Sequence, residues 1–325
     1  MTKVKLYPIK FQPIFKEKIW GGNKLKSVLN KKTNLLNVGE SWEISAVEND
    51  VSVVANGQLK GNTLNSLLAE YKDDLIGEKN YKSFGTKFPL LIKFIDAKED
   101  LSIQLHPNNK LAAQRHNSFG KTEMWYVLEA DEEANLIVGF NEKMTSEKYL
   151  KHLNNKTLPE ILNFNKVKKG DSYFIDVGLV HAIGAGVMLA EIQQTSDITY
   201  RVYDWDRVDA KGNTRELHND LALEAINFDY KDNFKIDYFK NKNQTNKLVT
   251  CPFFITNYLA LETNTITKEN TFDSFIIYMC VDGEASIKTE YSTEIIKKGE
   301  TILIPAVINT FQIIAESAEL LEIYI

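Results

Sequence analysis

In the segment Leu101-Ser102-Ile103-Gln104-Leu105-His106, apolar and polar residues alternate one for one. A β-strand turns successive side chains to opposite faces, so this period sets Ser102, Gln104 and His106 on one face and Ile103 and Leu105 on the other. Gly120-Lys121-Thr122-Glu123-Met124-Trp125 follows the same rule, with Lys121, Glu123 and Trp125 sharing a face. Gly178-Leu179-Val180-His181-Ala182-Ile183-Gly184 adds another histidine on a short β-like segment. The polar stripes carry imidazole, amide and carboxylate groups, which are the donors a protein uses to hold a transition metal. The alternation therefore predicts strands that bring Gln104, His106, Glu123 and His181 together at a metal site inside a small barrel.

The same pattern extends over much of the chain. Strands are expected at 90–95, 101–106, 123–129, 135–140, 172–176, 187–194 and 199–203, and again from residue 253 to the end. Helical spacing of apolar residues predicts helices over about 62–76, 145–163 and 217–228. Strand and helix do not alternate and no Gly-x-Gly-x-x-Gly fingerprint is present, which argues against a nucleotide-binding fold. At 325 residues, two domains or one enlarged domain are expected. Lys168-Lys169-Gly170-Asp171-Ser172-Tyr173-Phe174-Ile175 reappears as Lys297-Lys298-Gly299-Glu300-Thr301-Ile302-Leu303-Ile304, and continuing this alignment sets His181 against Thr310. Residues 229–247 are rich in Lys, Asn and Asp and read as a polar linker, and all five histidines precede it. The expected organisation is a mainly β chain with two barrels or jelly rolls. Residues 1–228 carry the metal, the helical insertion and the other helices; residues 248–325 form a barrel without ligands.

A net charge of −5 provides no field to attract nucleic acid or anionic lipid. An anionic small molecule would be held by a few local lysines and arginines. The N-terminus lacks an apolar export signal, no apolar run approaches membrane-spanning length, and Cys251 and Cys280 are isolated. A cytoplasmic location and no membrane partner are expected. Arg201, in Tyr200-Arg201-Val202-Tyr203-Asp204-Trp205-Asp206, has two readings: a surface pair with Asp204 or Asp206, or a fixed guanidinium facing an anionic substrate. His116 and His152 read as surface histidines and His218 as structural. Trp20, Trp42 and Trp125 read as core aromatics or as site walls.

Five segments, Trp20-Gly21-Gly22, Gly39-Glu40-Ser41-Trp42-Glu43, Ser102-Ile103-Gln104-Leu105-His106-Pro107, Gly120-Lys121-Thr122-Glu123-Met124-Trp125 and Tyr200-Arg201-Val202-Tyr203-Asp204, resemble those of class I mannose-6-phosphate isomerases. The likeness runs in order along nearly the whole chain and is strongest to the short bacterial form. It implies two cupin-type barrels and one zinc ion per chain held by Gln104, His106, Glu123 and His181, with Gln104 binding directly or through water. It implies interconversion of mannose 6-phosphate and fructose 6-phosphate through a cis-enediol. Arg201, Lys121 and Glu191 then fall on catalytic positions, and Ser102 and Lys121 on substrate-binding ones. The base is left open between Glu191, Lys121 and a group at the metal. Two other functions fit part of the pattern: a cupin dioxygenase using a two-histidine, one-carboxylate iron site, and a sugar-phosphate-binding regulator without turnover. Gln104 beside Lys121 and Arg201 favours an anionic polyol substrate.

Overall fold

The computed structural model describes residues 3–208 and 211–325, and antiparallel strands dominate it. One six-stranded sheet runs in the order Ile14–Gly22, Val38–Ile44, Leu90–Asp96, Val187–Gln194, Glu123–Ala130, Ser172–Ile175. A second, five-stranded sheet runs Tyr200–Tyr203, Ile103–Leu105, His181–Ile183, Asn135–Phe140, Leu162–Lys166. A third sheet takes the C-terminal part: Thr245–Thr250, Ile255–Glu269, Thr310–Tyr324, Ile276–Lys288, Thr293–Lys297, with Thr301–Ile304 also pairing on Ile276–Lys288.

The first sheet has little solvent face at its centre, where Leu90–Asp96 and Val187–Gln194 are buried at every position. On one side its Trp125, Val127, Ile175 and Leu189 pack against Leu136, Val138 and Ile183 of the second sheet. On the other, Ile92, Phe94, Met124 and Ile192 share a core with Leu64, Leu67 and Leu68 and with Ile277, Met279, Leu321 and Ile323 of the third sheet. Each fully buried side chain of this kind contributes roughly 1.5–3 kcal/mol, so the first sheet is clamped from both sides. The third sheet also bends round a core of its own, with Leu259, Ile276, Ile302, Phe311 and Leu320 in contact. The mainly β expectation holds. The two cupin-type barrels are not confirmed: each strand order runs from edge to edge, and no closed barrel is found among the described residues.

Thr63 caps the helix Leu64–Tyr71 by accepting from Ser66 N, and a short helix Asp73–Ile76 completes the stretch expected at 62–76. The 145–163 expectation resolves into three pieces. Thr145 caps Ser146–Asn154, a 3-10 turn with an early proline follows at Leu158–Ile161, and Leu162–Lys166 is a strand. Leu158 and Leu162 thus mimic helical spacing across two different elements. In the 217–228 stretch only Asn219–Leu223 is helical. Among the described residues, three helices arise that the apolar spacing does not announce, Lys24–Ser27, Glu78–Phe84 and Asn109–His116. Residues 229–247 are tied to the sheets: Ile236 N donates to Ser172 O at 2.8 Å, and the strand Thr245–Thr250 starts within them. Among the described residues, no helix is long and apolar enough to cross a membrane.

The repeated segment makes the same turn twice. Gly170 and Gly299 have φ of +83° and +84°, a region glycine enters without a Cβ clash. Gly170 N donates to Val127 O and Gly299 N to Cys280 O, each at 2.8 Å. Downstream, Tyr173 then lies opposite Trp125, and Ile302 opposite Tyr278.

Candidate metal and active site

Strand pairing gathers the expected ligands. His181 lies opposite Gln104, Gln104 lies opposite Arg201, and Glu123 opens the strand Glu123–Ala130 in the facing sheet. His106, Glu123 and His181 are all buried and offer donor atoms within 4.8 Å of one another. His106 Nδ1 is 2.8 Å from Ile198 O, and His181 Nδ1 is 2.8 Å from Leu179 O. A carbonyl only accepts, so each Nδ1 carries the proton and, in a neutral ring, leaves Nε2 as an acceptor, which in His106 takes a hydrogen bond from Lys121 Nζ at 3.1 Å. Burial keeps both rings neutral: it pushes His181 down to about 4, and with the charge of Lys121 it holds His106 well below the ordinary value.

The two Nε2 atoms face one carboxylate. His106 Nε2 lies 3.5 Å from Glu123 Oε2, and His181 Nε2 lies 3.6 Å from Glu123 Oε1. Lys121 Nζ is 3.2 Å from Oε2, close enough for an ion pair but not in hydrogen-bonding geometry, and neither Glu123 oxygen has a hydrogen-bond partner. Burial and the neighbouring Glu191 push the Glu123 carboxyl above the ordinary range. A buried carboxylate without donors is costly; a divalent cation between it and two inward lone pairs removes that cost. Two imidazoles and one carboxylate fit such an ion. Gln104 borders the cluster, its Nε2 3.5 Å from His181 Nε2 and its Oε1 3.2 Å from Ser102 Oγ. The Ser102 hydroxyl can donate or accept, so turning the amide over would keep that contact and aim the carbonyl oxygen at the cluster.

Above the ligands lies a cavity into which Lys18, Lys93, Lys121, Arg201 and Arg215 project, against Glu40, Glu191 and Asp197. Cations outnumber acids there, in a chain whose net charge is −5. Trp20, Trp42 and Trp125 line the same space, so all three are site walls as well as buried aromatics. The cavity is small, about 150 Å³, and two larger hollows of about 940 and 1040 Å³ lie around the third sheet. Neither of those contains a histidine, so chemistry rather than size identifies the site.

Arg201 does not pair with Asp204. That carboxylate is taken by Arg207 Nη2 at 2.6 Å and by both Nε and Nη2 of Arg215. Arg201 instead donates from Nε to Ser102 Oγ at 3.3 Å and from Nη1 to Glu216 O at 2.8 Å. Its backbone is held by His218, whose Nδ1 accepts from Arg201 N and whose own N donates to Arg201 O. His116 bonds Tyr200 OH and His152 bonds Thr157 Oγ1, both away from the ligands.

The structure adds residues the sequence reading did not single out. Lys93 Nζ donates to Glu191 Oε1 at 2.9 Å, and Trp125 Nε1 donates to Glu191 Oε2 at 2.9 Å. Burial would raise Glu191, but Lys93 and Lys121 outweigh it and hold this carboxylate below the ordinary range. Glu40 accepts from Trp42 Nε1 at 2.6 Å and pairs with Lys18 at 3.1 Å. For Lys93 one signal was available, a single lysine inside Leu90-Leu91-Ile92-Lys93-Phe94-Ile95. Arg215 offered none, because its role depends on the fold of Asp204.

Comparison with known proteins adds an independent line. Residues 9–149 match the family model for the phosphomannose isomerase type I catalytic domain, and residues 244–325 match the mannose-6-phosphate isomerase cupin domain. The mannose-6-phosphate isomerase ManA of Bacillus subtilis is 35% identical over 313 residues, covering 94% of this chain and 95% of that protein. The mannose-6-phosphate isomerase of Streptococcus mutans is 36% identical over 306 residues, covering 94% of each. A crystal structure of the Bacillus subtilis mannose 6-phosphate isomerase superposes with a TM-score of 0.88 at 33% identity, over 98% of this chain and 99% of that one. The chain belongs to the type I phosphomannose isomerase family.

Proposed function

We propose that this family member is an enzyme that interconverts mannose 6-phosphate and fructose 6-phosphate, with one zinc ion per chain held by His106, Glu123 and His181 and completed by Gln104. The observation that carries the metal assignment is Glu123, a buried carboxylate whose two oxygens face two histidine lone pairs and accept no hydrogen bond. Bound there, zinc supplies a Lewis acid for the oxygens of the sugar.

The chain's own residues do the rest. The reaction moves a proton between C1 and C2 through a cis-enediol, so negative charge grows on the sugar oxygens. Arg201, always cationic and without a carboxylate partner among the described residues, stabilises that charge or holds the phosphate. Lys121, buried between Glu123 and the cavity, is placed to donate to a sugar oxygen. Ser102, 3.3 Å from Arg201 Nε, orients both that guanidinium and the Gln104 amide. The tryptophan walls exclude water from the enediol. We further propose that residues 1–228 form the metal-bearing cupin unit, 229–247 its connection, and 248–325 a cupin unit without ligands.

The test is a coupled assay of mannose 6-phosphate conversion on protein of known metal content. Turnover that follows zinc occupancy is expected. Oxygen consumption with bound iron would replace this reading with an oxygenase, and sugar-phosphate binding without turnover would replace it with a regulator.

A further inference from the structure

Glu191 stands beside the cavity, and as a carboxylate it is a natural candidate to carry the sugar's proton. A second carboxylate in the molecule points to a different role. In the first sheet, Glu191 lies opposite Lys93 on one neighbouring strand and opposite Trp125 on the other, and it accepts from both side chains. In the third sheet, Glu322 lies opposite Asn257 and opposite Tyr278. Its Oε2 accepts from Asn257 Nδ2 at 3.1 Å, its Oε1 accepts from Tyr278 OH at 2.6 Å, and Lys268 Nζ stands 2.8 Å from Oε1.

These positions are equivalent in register. Trp125 faces Tyr173 and Tyr278 faces Ile302, and Tyr173 and Ile302 hold the same place in the repeated segment. Two residues earlier on the same strands, Glu123 faces Ile175 and Ile276 faces Ile304. The position of the metal-binding carboxylate is therefore an isoleucine in the third sheet, and no histidine follows His218. The third sheet has an isoleucine at that place and no histidine, yet it holds a buried glutamate tied to both neighbouring strands and to a lysine. Such a constellation has work to do without a metal and without a substrate.

We propose that Glu191 is a positioning residue, which fixes the Lys93 ammonium and the Trp125 ring against the cavity and does not itself carry the proton between C1 and C2. The inference rests on the isomerase reading for its kinetic test and stands apart from it for its structural one. Removing the carboxylate leaves the buried Lys93 ammonium with only the more distant Glu40, 4.0 Å away, and leaves an indole N–H without its acceptor, so alanine should disturb both the wall and the cation. Glutamine keeps the shape and one acceptor oxygen but cannot take a proton from carbon.

The experiment measures turnover and solvent-deuterium uptake into the sugar in Glu191→Gln and Glu191→Ala, with metal content and melting temperature, beside Glu322→Gln and Glu322→Ala. Glu191→Gln should retain turnover and deuterium uptake within about 30-fold of wild type. Glu191→Ala should fall at least tenfold further, with the alanine change costing more melting temperature than glutamine in both sheets. Glu322 variants should lose melting temperature and keep kcat. The proposal is overturned if Glu191→Gln, metal-loaded and with native melting, shows no deuterium uptake, or if the Glu322 variants melt like wild type. Should Glu191→Ala fail to fold, Glu191→Gln decides alone. A wild-type protein without turnover would remove the isomerase reading, and the melting comparison would still decide the positioning role.

Discussion

The first and third sheets lay their strands in the same order around the same turn, but they spend their buried polar positions differently. Glu322 is fully partnered by Tyr278, Asn257 and Lys268, and Ile276 beside it sits in an apolar core. In the first sheet Glu191 is partnered in the same way, yet Glu123 occupies the isoleucine's place with no hydrogen bond at all. His181 is fully buried, whereas Thr310, its counterpart in the repeat, is exposed at the start of its strand. The comparison separates two kinds of buried charge. One kind is satisfied within the protein and serves the sheet; the other is left unsatisfied and waits for something the protein does not supply. Among the described residues, only the first sheet carries the second kind, beside the histidines that could hold a metal.

The sharpest way to break this contrast is to remove a ligand. His106→Ala and His181→Ala should each strip the bound ion and lower kcat/KM by at least 1000-fold, about 4 kcal/mol of barrier. Metal analysis beside the coupled assay checks it, and full occupancy in both variants would end the ligand assignment.

A smaller loss is expected at Arg201, which lies outside the proposed ligand set and pairs with no acid among the described residues. Arg201→Ala should keep the metal and the fold and lose roughly 100-fold or more in turnover, with Arg201→Lys recovering only part, since an ammonium lacks the planar fork. A fall in kcat places the guanidinium in the transition state; a rise in KM alone makes it a phosphate holder.

Much of this site was legible in the sequence because its residue types are rare and its period is strict. Imidazole and carboxylate on alternate positions of Ser102-Ile103-Gln104-Leu105-His106 and Lys121-Thr122-Glu123 specify a shared face before any fold is known. What was hidden depends on long-range pairing. Lys93 is sequence-local to nothing polar, and its partner Glu191 arrives from a strand almost a hundred residues away. Arg201 could be read either way until Arg207 and Arg215 were seen to occupy Asp204. The helix Asn109–His116 buries only Ala112, so it has no apolar stripe; its real signal was the capping residue Asn108, which accepts from Leu111 N. Whether the sheets close into barrels was not decidable from alternation, which fixes faces but not closure.

The orphaned carboxylate gives a prediction whose sign depends on the ion. In metal-free protein, Glu123→Gln should raise stability by about 1–3 kcal/mol, because a buried carboxylate that accepts no hydrogen bond and has only the Lys121 ion pair is exchanged for a neutral amide. Glu123 is raised when folded, so between its unfolded and folded values the native state holds a proton that the unfolded chain has released. Glu123 therefore contributes a fall in stability as pH rises above the ordinary carboxylate range, set against the rise contributed by His106 and His181, whose folded values are depressed, and the glutamine variant should lose the share of Glu123 in the slope. In metal-loaded protein the same substitution should destabilise, since a ligand is lost. Denaturant titrations with and without chelator at several pH values distinguish the two, and an unchanged slope in Glu123→Gln would show that another group sets it.

The smallest effect is expected where the repeat sets Thr310 against His181. Thr310 is exposed and starts the strand Thr310–Tyr324 opposite Glu269, far in character from a buried imidazole. A β-branched valine suits the same strand position, so Thr310→Val should change stability by less than about 0.5 kcal/mol. Turnover should stay within about twofold, near 0.4 kcal/mol of barrier. A loss above 100-fold in a folded, metal-loaded variant would mean that the third sheet reaches into the reaction, and the division between a chemical sheet and a structural one would fail.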